Sequence, residues 1–97
     1  MNDGIFTSFD LGIRCYSGLS GPGAGYNIPP PKEVNCKGTQ VTCLTQTSIN
    51  GDGERLYHAC GNKLTTGCSG KPGWKPQEIG DTQACFCDED LCNTPGM

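Results

Sequence analysis

Residues 40–61 read QVTCLTQTSINGDGERLYHACG. Val41, Cys43, Thr45, Thr47 and Ile49 alternate with Gln40, Thr42, Leu44, Gln46 and Ser48. A period of two rich in β-branched residues is the pattern of a strand, whose side chains point alternately to its two faces. Asn50-Gly51-Asp52-Gly53 follows, a turn built of residues that tolerate positive φ. Residues 55–60 return as the partner strand. The stretch predicts a long hairpin with Cys43 and Cys60 near its base, and it sets the protein in the all-β class.

Outward from the hairpin, residues 13–16 read as a short strand that carries Cys15. SGLSGPGAG, residues 17–25, reads as a flexible stretch, and Pro29-Pro30-Pro31 as extended polyproline II. Glycine entropy and missing amide donors exclude helix across this region. Residues 65–85 form a second excursion with GKPGWKP, residues 70–76, at its middle. A last strand over 83–87 leads to Cys92. No helix longer than a turn is predicted, and no repeat occurs.

The chain of 97 residues is enough for one domain. Three Phe, three Tyr and one Trp, against 15 Gly and seven Pro, leave a thin apolar core. Eight cysteines, at 15, 36, 43, 60, 68, 85, 87 and 92, supply what the core does not. An even count in so short a protein reads as a disulfide framework made in an oxidising compartment. Zinc fits poorly: the sequence has no C-x-x-C knuckle, one C-x-C and a single histidine, His58. A net charge of −3 with no basic run argues against nucleic acid and against electrostatic docking to anionic lipid. The acidic start at Met1-Asn2-Asp3-Gly4 is not a signal peptide. An extracellular protein needs one, so the expectation is that it has been removed and that residues 1–12 are a leader. The domain is then expected over 13–94, with a tail at 95–97. No apolar run is long enough to span a membrane.

The ending CFCDEDLCN, residues 85–93, resembles the signature of the lymphocyte-antigen-6/urokinase-receptor (Ly6/uPAR) domains and of snake three-finger toxins, in which the last cysteine is followed by Asn. Ile13-Arg14-Cys15-Tyr16 is similar to the family's opening. The intervals Cys36 to Cys43 and Cys43 to Cys60 are similar to those of the toxins. The resemblance covers residues 13–93. It implies a three-finger fold, three β loops projecting from a four-disulfide core, and the pairing Cys15–Cys43, Cys36–Cys60, Cys68–Cys85 and Cys87–Cys92. Closing a loop of about 15 residues contributes about 3 kcal/mol in the chain-entropy model, so four bridges contribute at most on the order of 10 kcal/mol. That is the order of a small domain's whole stability.

Three features depart from the pattern. Gly18 stands where Ly6/uPAR domains usually carry a second cysteine, so the first finger is expected to lack its own staple and to be loose. Phe86 separates Cys85 from Cys87 where the family typically has adjacent cysteines, and invertebrate members are similar in this respect. The third finger is long for a toxin.

The resemblance implies structural roles for Asn93, whose side chain ties the C-terminal end to the core, and for Tyr16. It also implies that the tip of finger two, with Asp52, Glu54 and Arg55, faces a partner, although a solvated turn is the more ordinary use of such charges. Trp74, between Lys71 and Lys75, is a second candidate contact, because aromatic and Arg anchors concentrate binding energy. It is also the one indole available to cover the disulfide core. Tyr57 completes the set. Phe86 is expected to cover the far side of the sheet. His58 is the sole general-base candidate, and no nucleophile elbow or zinc-protease helix accompanies it. The expectation is a domain without catalytic residues, metal or cofactor.

The resemblance thus implies an extracellular binding module, secreted or held at the cell surface by a glycosylphosphatidylinositol (GPI) anchor added beyond Asn93. Its partner would be a protein such as a membrane receptor or ion channel, and only the lipid anchor would touch a membrane. Two alternatives share the pattern: a secreted toxin-like ligand, and the ligand-binding ectodomain of an activin/BMP-type receptor.

Overall fold

The computed structural model describes residues 12–95. The expected leader lies outside them except for Gly12, as does the expected tail except for Pro95. Among the described residues six strands form: β1 (Arg14–Ser20), β2 (Lys32–Asn35), β3 (Thr42–Asn50), β4 (Gly53–Gly61), β5 (Gly67–Cys68) and β6 (Thr82–Cys87). All pairings are antiparallel, in the order β2-β1-β4-β3-β6-β5. β1 with β2, β3 with β4, and β5 with β6 make three loops. The outer two flank the central hairpin because β1 pairs with β4 and β3 pairs with β6.

The hairpin of β3 and β4 runs in unbroken register from Thr42 opposite Gly61 to Asn50 opposite Gly53. Its two-residue turn is Gly51-Asp52, and the positive φ falls at Gly53 (120°). Gln40 and Val41 lie before the strand. Gln40 instead closes a turn, with its N–H on Lys37 O at 3.1 Å and its side-chain oxygen accepting from Lys37 N at 3.1 Å.

The core is sulfur rather than aliphatic. Cys15, Cys36 and Cys43 are buried, with Ile13, Cys60, Cys87 and Cys92 packed against them. Cys43 lies opposite Cys60 on one side and Cys87 on the other, so three cysteines form a row across β4, β3 and β6. Directly opposed residues share a face, and each member of the row bonds away from it. The bridges are Cys15–Cys43, Cys36–Cys60, Cys68–Cys85 and Cys87–Cys92.

The first finger departs from the sequence expectation. β1 does not stop at residue 16. It changes partner, pairing with β2 up to Ser17 and then laying Gly18, Leu19 and Ser20 against His58, Tyr57 and Leu56 of β4. A 3-10 turn, Pro22–Ala24, follows in a region where composition excludes helix. Proline is at home in the first turn of such an element, where its missing N–H costs nothing. Gly23 is buried in this turn, and a Cβ there would lie 2.5 Å from Gly53 O. Local propensity favours a free loop; docking on the central hairpin orders it. β2 and β5, short strands at the two edges, carry no pattern readable in the sequence.

Candidate functional site

The face a residue occupies follows from strand alternation. Arg55, Tyr57 and Ala59 of β4 share one face with Ser48, Gln46 and Leu44 of β3, their register partners. Leu19 of β1 and Thr82, Ala84 and Phe86 of β6 extend that face. Leu56, His58 and Cys60 point to the other, together with Thr47, Thr45 and Cys43.

The second face is closed by the C-terminal segment. Asn93 is 2% exposed and lies at the meeting of three strands. Its Oδ1 accepts from Tyr16 N at 2.9 Å, and its Nδ2 donates to Tyr16 O at 3.0 Å and Leu44 O at 2.9 Å, with Ala59 O at 3.4 Å. Its own carbonyl meets His58 Nδ1 at 3.0 Å. Tyr16 takes part through its backbone.

His58 is fully buried, and its Nε2 lies 2.7 Å from Ser20 Oγ. Burial holds the imidazole pKa below its usual 6.5; the bond to Asn93 opposes this more weakly. A hydroxyl against a ring nitrogen is the contact a nucleophile and base would make. Here the ring is sealed from solvent, and its other nitrogen meets a backbone carbonyl, so the pair braces β1 against β4.

On the first face, Tyr57 is 41% exposed and Arg55 half-buried. Phe86 is half-buried: its ring lies over Gly61, where a Cβ would come within 2.8 Å of it, and Lys63 Nζ stands 5.4 Å from the ring centroid. At the finger-two tip Asp52 and Glu54 are exposed. Asn50 organises this tip. Its Oδ1 accepts from Asp52 N at 2.8 Å and its Nδ2 donates to Gly23 O at 2.9 Å.

Trp74 belongs to neither the core nor the Tyr57 face. Its ring packs against Gly70, its backbone N–H donates to Lys71 O at 2.9 Å, and its backbone carbonyl accepts from Gln83 Nε2 at 2.9 Å. Gln83 sits opposite Thr47, on the face away from Tyr57. Trp74, Lys71 and Lys75 line a shallow groove. The five candidate contact residues therefore divide into Arg55 and Tyr57 on the sheet, Asp52 and Glu54 at the tip, and Trp74 on the third finger.

The sequence reading missed several residues that hold these surfaces. Asp81 Oδ2 accepts from Gln77 N and Glu78 N, each at 3.0 Å, and these bonds lower its carboxyl pKa. The third finger also hooks onto β3 through Ile49 N to Asp81 O and Gly80 N to Ile49 O. Arg14 N donates to Asp90 Oδ1 at 2.9 Å, and the Arg14 guanidinium lies 3.7 Å from Glu33. An Asp within a glycine-rich or polar loop is the only local hint of such caps.

The sulfurs of Cys15, Cys36 and Cys60 lie within 4.8 Å of one another, but all three are in disulfides and offer no thiolate to a metal. No cysteine is free, which marks the protein as made for an oxidising, extracellular or secretory setting. Among the described residues no helix is long and apolar enough to cross a membrane. No protein-family model matches the sequence, and no curated protein matches it.

Proposed function

We propose that the protein is an extracellular binding module of the Ly6/uPAR type that modulates a receptor, channel or adhesion partner through its fingers. One observation carries the reading. The central hairpin is braced on one face by Asn93 and the sulfur row, while its other face holds Tyr57 41% exposed with Arg55 beside it. An aromatic and an arginine on a rigid support are the residues in which interfaces concentrate affinity, and rigidity lowers the ordering cost of binding. His58, the one candidate base, is sealed from solutes, which supports binding over catalysis.

The test is affinity for a panel of purified receptor and channel extracellular domains, with Tyr57→Ala, Arg55→Ala and Trp74→Ala compared with the parent. Loss of at least about 1 kcal/mol for each of the first two, with unchanged melting, is the expected result. Trp74→Ala reports whether the third finger shares the interface. Unaltered affinity in all three variants would sink the reading. A GPI-anchored, a freely secreted and a receptor-linked form are told apart by the full-length reading frame.

A further inference from the structure

Asn50-Gly51 is the only Asn-Gly pair in the sequence. Asparagine before glycine is the pairing most prone to intramolecular attack, because no Cβ shields the following backbone nitrogen. Two features of the fold bear on that chemistry. The bond from Asp52 N to Asn50 Oδ1, 2.8 Å, holds the side-chain amide curled toward the next peptide. It also supplies a donor where negative charge gathers on Oδ1 during attack. The bond from Asn50 Nδ2 to Gly23 O, 2.9 Å, makes the same amide the clasp between the first finger's turn and the central tip.

We propose that Asn50 is a self-modification site whose conversion unlatches finger one from finger two. Gly51 N attacks Asn50 Cγ, a ring closes, the Cγ–Nδ2 bond breaks, and ammonia leaves with the Gly51 amide proton. One water then opens the ring. Cleavage of the bond between Cγ and the Gly51 nitrogen leaves an ordinary aspartate at position 50; cleavage of the bond between the Asn50 backbone carbonyl carbon and that nitrogen leaves isoaspartate. Both products lose the Nδ2 donor. Aspartate turns a carboxylate oxygen toward the Gly23 carbonyl, so acceptor meets acceptor. Isoaspartate carries Cγ into the main chain and leaves its free carboxylate on Cα, so no side-chain amide is left to reach Gly23 O. Gly23 cannot compensate, because its bare backbone is packed on Gly53 and Glu54 with no room for a side group. The β1–β4 ladder reaches Ser20 opposite Leu56, so release is confined to residues 21–25 while Cys15–Cys43 keeps the base intact.

The experiment incubates the folded, oxidised protein in mildly alkaline buffer for days. Peptide mapping follows the amide-to-acid mass change and isoaspartate, and amide exchange is read over residues 21–25. Conversion is expected at Asn50, with Asn62 and Asn93 unchanged and exchange over 21–25 faster by roughly 3- to 10-fold, the loss of one hydrogen bond. Asn50→Asp is expected to show the faster exchange from the start. Gly51→Ala is expected to keep the amide and the slow exchange, since a Cβ there meets nothing within 4 Å and its φ is not positive. An Asn50 that survives in the folded protein yet converts in the reduced, unfolded one would overturn the proposal. So would unchanged exchange in Asn50→Asp.

Discussion

The side chain of Asn93 completes both backbone polar groups of Tyr16: it accepts from Tyr16 N at 2.9 Å and donates to Tyr16 O at 3.0 Å. One amide thereby imitates a neighbouring strand for a residue 77 positions away in sequence.

Asn93→Ala leaves the Tyr16 N–H and the Tyr16 and Leu44 carbonyls without that partner. The expected cost is about 2–4 kcal/mol in denaturant unfolding. Asn93→Asp, nearly identical in shape, is expected to cost at least as much, because it turns an oxygen toward two carbonyls. A near-neutral Asp variant would show that volume, not donation, is what the site requires.

His58 gives the fold a pH dependence. Burial lowers its folded pKa below the unfolded 6.5, so between the two values the unfolded state binds more protons. The stability that comes from a neutral ring is fully present above pH 6.5 and is lost as pH falls through the folded pKa. Denaturant midpoints measured downward from neutral pH are expected to fall faster for the parent than for His58→Gln. Parallel slopes would contradict this.

Gly61→Ala places a Cβ 2.8 Å from the Phe86 ring and 2.9 Å from Thr42 Oγ1. Overpacking of this kind costs about 1–3 kcal/mol. Adding Phe86→Leu is expected to recover part of the loss, and a double-mutant cycle in thermal or chemical melting reads the coupling.

Asp81→Ala removes the acceptor shared by the Gln77 and Glu78 amides. Their exchange is expected to quicken severalfold, and Asp81→Asn, which keeps one oxygen, to lie between. The carboxylate's lowered pKa implies that in the parent these bonds are present above the ordinary carboxylate range and weaken only in stronger acid. Equal exchange in all three proteins would remove Asp81 as the cap.

Cys68 is exposed and β5 holds only two residues, whereas Cys15 and Cys43 are both 0% exposed. A mild dithiol is therefore expected to open Cys68–Cys85 first and Cys15–Cys43 last, since access to the buried pair requires larger opening of the fold. Timed alkylation with mass spectrometry gives the order.

The central hairpin is legible in the sequence because two local signals agree in it, the period of two and the Asn-Gly-Asp-Gly turn. β1 beyond Tyr16 is not, since Gly18-Leu19-Ser20 has no strand propensity and is held only by its register against His58, Tyr57 and Leu56. β2 and β5 are invisible for the same reason, being too short to show a period. Spacing alone does not select a disulfide pairing, which depends on the strands that the fold lays side by side. His58 stands out for its titration, but that it is buried between Ser20 and Asn93 depends on contacts 38 and 35 positions apart. Asn50 reads as a turn former, which it is, and the clasp on Gly23 depends on the first finger folding over it. Trp74 faces its own loop because Gly70 leaves space for the indole, and no sequence pattern encodes that.

The two strands at the limits of the sheet have a consequence for how copies of the protein behave together. An open edge of β structure presents unpaired amides and carbonyls on which another molecule can grow. Here one edge is the four-residue β2, with Lys32 and Glu33 exposed and three prolines leading into it, and the other is a two-residue step at Gly67–Cys68. Charge, missing donors and sheer shortness leave a growing fibril little template at either flank of the sheet.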